Sequence, residues 1–371
     1  MFSEKERAAR LNAAAELIKT EGLQAIYLLG NGTVGTNTFG NFRYFVDSRV
    51  FFHFNSAIIT KDAKLYGIVG NNMAMKNLTA ASFVRKEDVI MNGDQLGGAI
   101  NFLKENGLDK GKLGVLMELL PTSWMMRLEK ELPETELVDV ADGLFAIRTH
   151  KSEEEAETLR QCGRICDAAF KAFKKAAVPG AWEHEVVAEV ISAVQRMGAD
   201  TYFMLIASGK FSAKESRLTT LHTTPAIDRQ LQQGDTAAME ITPYFNGNWT
   251  QMVRTVNVGE ENPDVDEFIK VTSDSIREAV KLIKPGVPIK DAVLKMKQVV
   301  EEQGYRFEMP CGHICGADLN EERTTVDNDR PFAKGMCVIL HPTVLNDTLT
   351  SGIYWGESYL VTDDGCECLM Q

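Results

Sequence analysis

At 371 residues, 44% of them hydrophobic and 25% charged, the chain has enough apolar sequence to bury two packed domains and lacks the bias of a disordered or fibrous protein. Its formal net charge of −12 argues against nucleic acid and against an anionic membrane surface as partners, and no apolar run is long enough to span a membrane. Seven cysteines, none in a CxxC pair, read as free thiols and point to a reducing, cytoplasmic setting.

In chain order, MFSEKERAARLNAAAELIKT predicts a charged amphipathic helix over 1–20 with no secretory signal. The runs AIYLL (25–29), RYFV (43–46), SAIIT (56–60), KLYGIVG (64–70) and KLGVLM (112–117) predict strands, and DQLGGAINFLKENG (94–107) a helix between them. This alternation predicts an α/β layer. The glycines of GNGTVGTNTFGN (30–41) form a loop that lacks the Gly-Lys-Ser/Thr of a phosphate site. Ser152, with Glu155 three residues on, then reads as the capping box of a long helix over 152–176. The expected division is therefore 1–147 and 148–371.

The second region contains a faint repeat. PGAWEHEVVAEVISAVQRMG from Pro179 and PGVPIKDAVLKMKQVVEEQG from Pro285 share a Pro-Gly, an apolar helical pattern and a closing Gly, all offset by 106 residues. This predicts two similar α+β halves related by a pseudo-twofold, with a site at their junction. Three of the chain's six histidines end apolar runs in this region: His222 in LHTTP, His313 in CGHICG and His341 in ILHP. Glu240 in MEITPYF and Glu357 in YWGESYL accompany them. Imidazoles and carboxylates gathered in this way serve acid–base chemistry or a metal site.

From Lys151 onward these motifs occur in a fixed order. They are IASGKFSAKESRLTTLHTTPAIDRQLQQGD, MEITPYFNGNWTQMVRTVNVG, CGHICGADLNEE, KGMCVILHP and YLVTDDGCECL. In this the chain resembles the pita-bread family of creatinase, prolidase, aminopeptidase P and methionine aminopeptidase. The resemblance implies an α+β fold with a C-terminal pita-bread domain, preceded by a smaller α/β N-terminal domain. It also implies a homodimer in which the N-terminal domain of one subunit covers the neighbour's site, with Arg49 and His53 as contributors.

The departures from the family pattern matter more. The family's peptidases hold two metal ions with two Asp, one His and two Glu. Here those positions read Glu240, Gln251, His313, His341, and either Gly356 or Glu357. Gln251 and His341 are neutral and cannot bridge two cations as carboxylates do. Asn320-Glu321 stands where the peptidases carry His-Glu, so a second catalytic histidine is missing. Creatinase shares the fold, holds no metal and works with the histidine that corresponds to His222. Ectoine hydrolase has a Glu, regarded as nucleophile, at the position of Glu240.

The sequence therefore leads to a metal-independent hydrolase of a C–N bond, of amide, amidine or guanidine type, in a small nitrogen-containing molecule. His222, Glu240, His313 and His341 are the expected catalytic residues. Glu321, Glu357, Gln251, Tyr202, Phe203 and Arg49 are expected to bind substrate. Two alternatives stand beside this: a hydrolase or lyase using one Fe, Mn or Zn ion on Glu240, His313 and His341, and a binding module without peptidase activity. The bland reading of Glu240 is a buried salt bridge, with Arg254 as candidate partner.

Overall fold

The computed structural model describes residues 2–31, 36–37, 40–48, 54–211 and 223–371. His222, Arg49 and His53 lie outside the described residues. The chain divides into two compact units, Met1–Thr149 and His150–Gln371.

The first unit is a six-stranded mixed sheet. Its strands run, edge to edge, Val89–Met91, Leu65–Val69, Phe54–Thr60, Leu23–Asn31, Gly111–Val115 and Thr135–Asp139. Alternation along Leu23–Asn31 sends Ala25 and Tyr27 into one apolar cluster with Leu96, Ala99, Ile100 and Leu103 of the helix Gln95–Glu105. The run RYFV, expected as a strand, is instead the end of a helix, Gly40–Val46. Every residue of RYFV is buried, so burial fills both faces and period-two alternation carries no signal there.

The second unit opens with the helix Glu153–Ala176, and both bonds of the expected Ser152–Glu155 capping box are formed. The helix Glu183–Arg196 packs beside it, and the helices Pro263–Val280 and Ile289–Glu302 form a second pair. Each pair leads into antiparallel sheet. The first half supplies Thr201–Lys210, Asp235–Phe245 and Met252–Val258, with Asp235–Phe245 central. The second half supplies a five-stranded sheet around Gly312–Cys315, Cys337–Leu340 and Glu357–Val361, and a small sheet containing Thr343–Leu345 and Gly352–Tyr354.

The repeat read from the sequence reappears bond by bond. Gly180 N–H donates to Leu231 O at 2.8 Å, and Gly286 N–H to Phe332 O at 2.9 Å. Glu183 N–H donates to Arg229 O and Ile289 N–H to Arg330 O, both at 2.9 Å. This is the pita-bread architecture, two related halves that each pair helices with antiparallel sheet.

Gly180 and Gly286 have φ of +93° and +88°, and a Cβ at either would meet nothing within 4 Å. The cost of Gly→Ala at each is therefore purely that of a left-handed backbone. Gly180→Ala and Gly286→Ala should each lower stability by about 1 kcal/mol, and by matching amounts, in urea unfolding. Unequal losses would show that the two turns are not equivalent.

Candidate active site

Two sheets meet at one short join. Val253 and Gly356 exchange backbone hydrogen bonds, each 3.0 Å, in an isolated antiparallel bridge. Val253 lies opposite Glu240 in the first-half sheet, and Leu340, just before His341, lies opposite Glu357 in the second. The join thus brings Glu240 and His341 towards one another. His313 reaches the same place from the neighbouring strand, opposite Ile339.

The four side chains Glu240, Gln251, His313 and His341 are all buried. A fifth, Tyr354, binds them together. Its Oη donates to Glu240 Oε2 at 3.1 Å and lies 3.3 Å from His341 Nδ1. Gln251 also hydrogen bonds to Tyr354. Gln251 Oε1 accepts from His313 Nε2 at 2.9 Å. The His313 and His341 rings meet edge to face, with centroids 5.4 Å apart. Thr223, immediately after the expected His222, adds a side-chain hydrogen bond to Glu240.

Burial sets the protonation states. It raises the Glu240 carboxyl to about 7, against hydrogen bonds from Tyr354 and Thr223 that favour its anion. Burial lowers His313 to about 4. His341 falls to about 3, through burial and then the proximity of His313. At neutral pH both imidazoles are uncharged. Among the described members of the cluster, Glu240 is the one poised to exchange a proton near neutrality.

Other expected residues fall elsewhere. Arg254 does not pair with Glu240: it sits opposite Met239, so its side chain leaves the other face of the sheet. Its guanidinium instead holds Glu357 Oε1 at 2.8 Å and the Gly356 carbonyl at 2.7 Å. Glu357 also accepts from Tyr359 Oη at 2.7 Å, so its carboxylate is taken up by Arg254 and Tyr359 rather than by the cluster. Gly356 is the residue against the site: a Cβ there would fall 2.4 Å from His341 Cβ. Glu321, expected to bind substrate, forms a buried ion pair with Lys151 at 3.3 Å. Phe203 lies opposite Thr242 and shares Glu240's face, whereas Tyr202, opposite Pro243, lies on the reverse face. Cys311 and Cys315 are buried free thiols, near Thr324 and the Trp249 carbonyl respectively. The motif residues Ser208, Arg229 and Asp235 are structural: Arg229 donates to Ser208 Oγ and to Asp235, and Ser208 donates to the fully buried Glu183.

Tyr354 escaped sequence reasoning. It sits in GIYWGE, an apolar strand in which an aromatic reads as core. The only available signal was its place two residues before Gly356.

The metallopeptidase model, Metallopeptidase family M24, matches residues 157–363, more than half of the chain. The Creatinase/Prolidase N-terminal domain model matches residues 10–150. The chain belongs to metallopeptidase family M24, in the branch that carries the creatinase/prolidase N-terminal domain. Among curated proteins, an uncharacterized peptidase of Staphylococcus epidermidis is 26% identical over 74% of this chain and 79% of its own. The creatinase of a Bacillus species is 27% identical over 66% and 61%, and the Xaa-Pro dipeptidase of Pyrococcus horikoshii 24% over 74% and 76%. The prolidase structure from Pyrococcus horikoshii OT3 superposes with a TM-score of 0.82 at 21% identity, covering 98% of both chains, which establishes the fold.

The family name implies metal ions, and the donor set here does not fit them. Gln251 spends its amide on His313 and Tyr354, and Gly356 offers no ligand. Among the described residues no three His, Cys, Asp or Glu side chains are gathered to hold a metal ion.

The protonation states make a prediction about stability. The unfolded chain takes up two protons on His313 and His341 near pH 6.5 that the fold refuses until about 4 and 3, so these groups cost stability as pH falls. Glu240 acts oppositely: between 4.5 and about 7 the fold keeps a proton that the unfolded chain releases, so its contribution is lost as pH rises. Glu240→Gln removes that offset. Between pH 6.5 and 4.5 the variant should lose stability on acidification more steeply than the native chain, by about 1.4 kcal/mol per pH unit in urea unfolding. Parallel slopes would mean that Glu240 is ionised throughout that window.

Proposed function

We propose that this chain is a metal-independent hydrolase that cleaves a C–N bond of amide, amidine or guanidine type in a small nitrogen-containing molecule. The observation that carries the reading is Glu240: a carboxyl held by burial at about 7, beside two uncharged imidazoles, where the family's peptidases have a metal-bound Asp. Such a group is a competent general base at neutral pH.

In the proposed reaction water adds to the substrate's trigonal carbon, and Glu240 takes the proton that water gives up. The C–N bond then breaks, and the nitrogen leaves with a proton supplied by His222. Water's oxygen stays on carbon, so the atoms balance. His222, which lies outside the described residues, enters on its motif alone. Neutral His313 and His341 bind the substrate's polar end or stabilise charge that develops on the carbon's substituent. Phe203, on Glu240's face, contacts the substrate's apolar part.

The named relatives favour a second reading, in which the bond is that of an Xaa-Pro dipeptide. One screen separates the two. Guanidino, amidino and cyclic amide compounds and Xaa-Pro dipeptides are each assayed for released nitrogen, with and without chelator. The expected result is turnover of a compound from the first three classes that survives chelation and rises through pH about 7, falling roughly 10²–10⁴-fold in His222→Ala and in Glu240→Gln. Turnover confined to Xaa-Pro dipeptides and abolished by chelator would contradict it.

A further inference from the structure

Tyr354 is the one member of the buried cluster that no family motif singles out, and it touches the most partners. Its backbone is fixed on the strand Gly352–Tyr354, opposite Thr343, and its carbonyl accepts from Thr255 Oγ1 at 2.8 Å. At the other end, its hydroxyl meets Glu240, His341 and Gln251. Its ring stands edge to face against His341 at 5.4 Å and 84°. A buried phenol needs one hydrogen-bond partner to be satisfied. Three polar side chains converging on it exceed what core packing requires.

We infer that Tyr354 is a positioning residue whose hydroxyl holds the Glu240 carboxylate and the His341 ring in one fixed arrangement. The inference rests on the hydrolase reading for its catalytic consequence, but its geometry stands independently of that reading. A phenol has a single proton, and the 3.1 Å bond gives it to Glu240 Oε2. The 3.3 Å contact then requires His341 Nδ1 to be the donor. Tyr354 therefore selects the Nδ1–H tautomer of His341 and leaves Nε2 as a free acceptor. In metal sites of the family's kind, a cation would draw carboxylate and imidazole together. Here a hydroxyl does so, by donating to one and accepting from the other.

Two arms test this. In the first, the protein is labelled with ¹⁵N-histidine, and the imidazole tautomers are read by long-range ¹H–¹⁵N NMR at pH 8. His341 should be the Nδ1–H tautomer in the native chain, and its Nδ1 resonance should move in Tyr354→Phe. The Nε2–H tautomer in the native chain, or a His341 signal indifferent to the substitution, would overturn the inference without reference to any substrate. In the second arm, on a compound turned over in the screen above, Tyr354→Phe should lower kcat about 10²-fold while KM stays within roughly threefold. Tyr359→Phe, which removes a hydrogen bond to Glu357 outside the cluster, should leave kcat unchanged. Equal kcat in the native chain and Tyr354→Phe would also overturn the inference. Should the native chain turn over nothing, the hydrolase reading fails and the NMR arm still decides the role of Tyr354.

Discussion

The join between Val253 and Gly356 is the constraint on which the site depends. It is a single antiparallel bridge, and it ties the sheet that carries Glu240 to the sheet that carries His313 and leads into His341. At that point there is no room for a side chain. A Cβ on residue 356 would lie 2.4 Å from His341 Cβ and 2.6 Å from the Leu340 carbonyl. Glycine at 356 is therefore what lets the two strands approach this closely beside residue 341. Arg254 secures the join from behind by donating to the Gly356 and Val253 carbonyls while pairing with Glu357.

The interior built on that join keeps its charge low. Two imidazoles are held neutral, and the one carboxylate titrates near neutrality. Gln251 suits such a place because an amide both accepts and donates. It takes the His313 Nε2–H and turns its other end to Tyr354. An aspartate there could only accept, would leave Tyr354 without that donor, and would add a second charge to a buried cluster. The substitution that disables a metal bridge thus completes a hydrogen-bonded one.

How far the sequence revealed this depended on whether a signal was local. The Ser152–Glu155 capping box and the two Pro-Gly turns are short-range devices, and the structure forms both as read. The order of the motifs located Glu240, Gln251, His313 and His341, and the structure brings these four together. Partnerships between distant residues were not legible. Lys151 meets Glu321 across 170 residues, and Arg254 meets Glu357 across 103, so neither pairing leaves a periodic trace. The gap between Gly356 and Glu357 is decided by the close approach of His341, a packing fact without a sequence pattern. RYFV failed because a run buried on every side shows no period, and Tyr354 was hidden because an aromatic within GIYW looks like core.

If a hydrogen-bonded Glu240–Tyr354–His341 cluster stands in place of metal coordination, the purified protein carries no bound transition metal. Elemental mass spectrometry decides this, on protein purified without chelator and without a metal-affinity step. The expected content is less than about a tenth of an equivalent of any transition metal per chain, because among the described residues the donors that would bind one are missing or already paired. One or two equivalents, retained through dialysis and lost in Glu240→Gln, would contradict it.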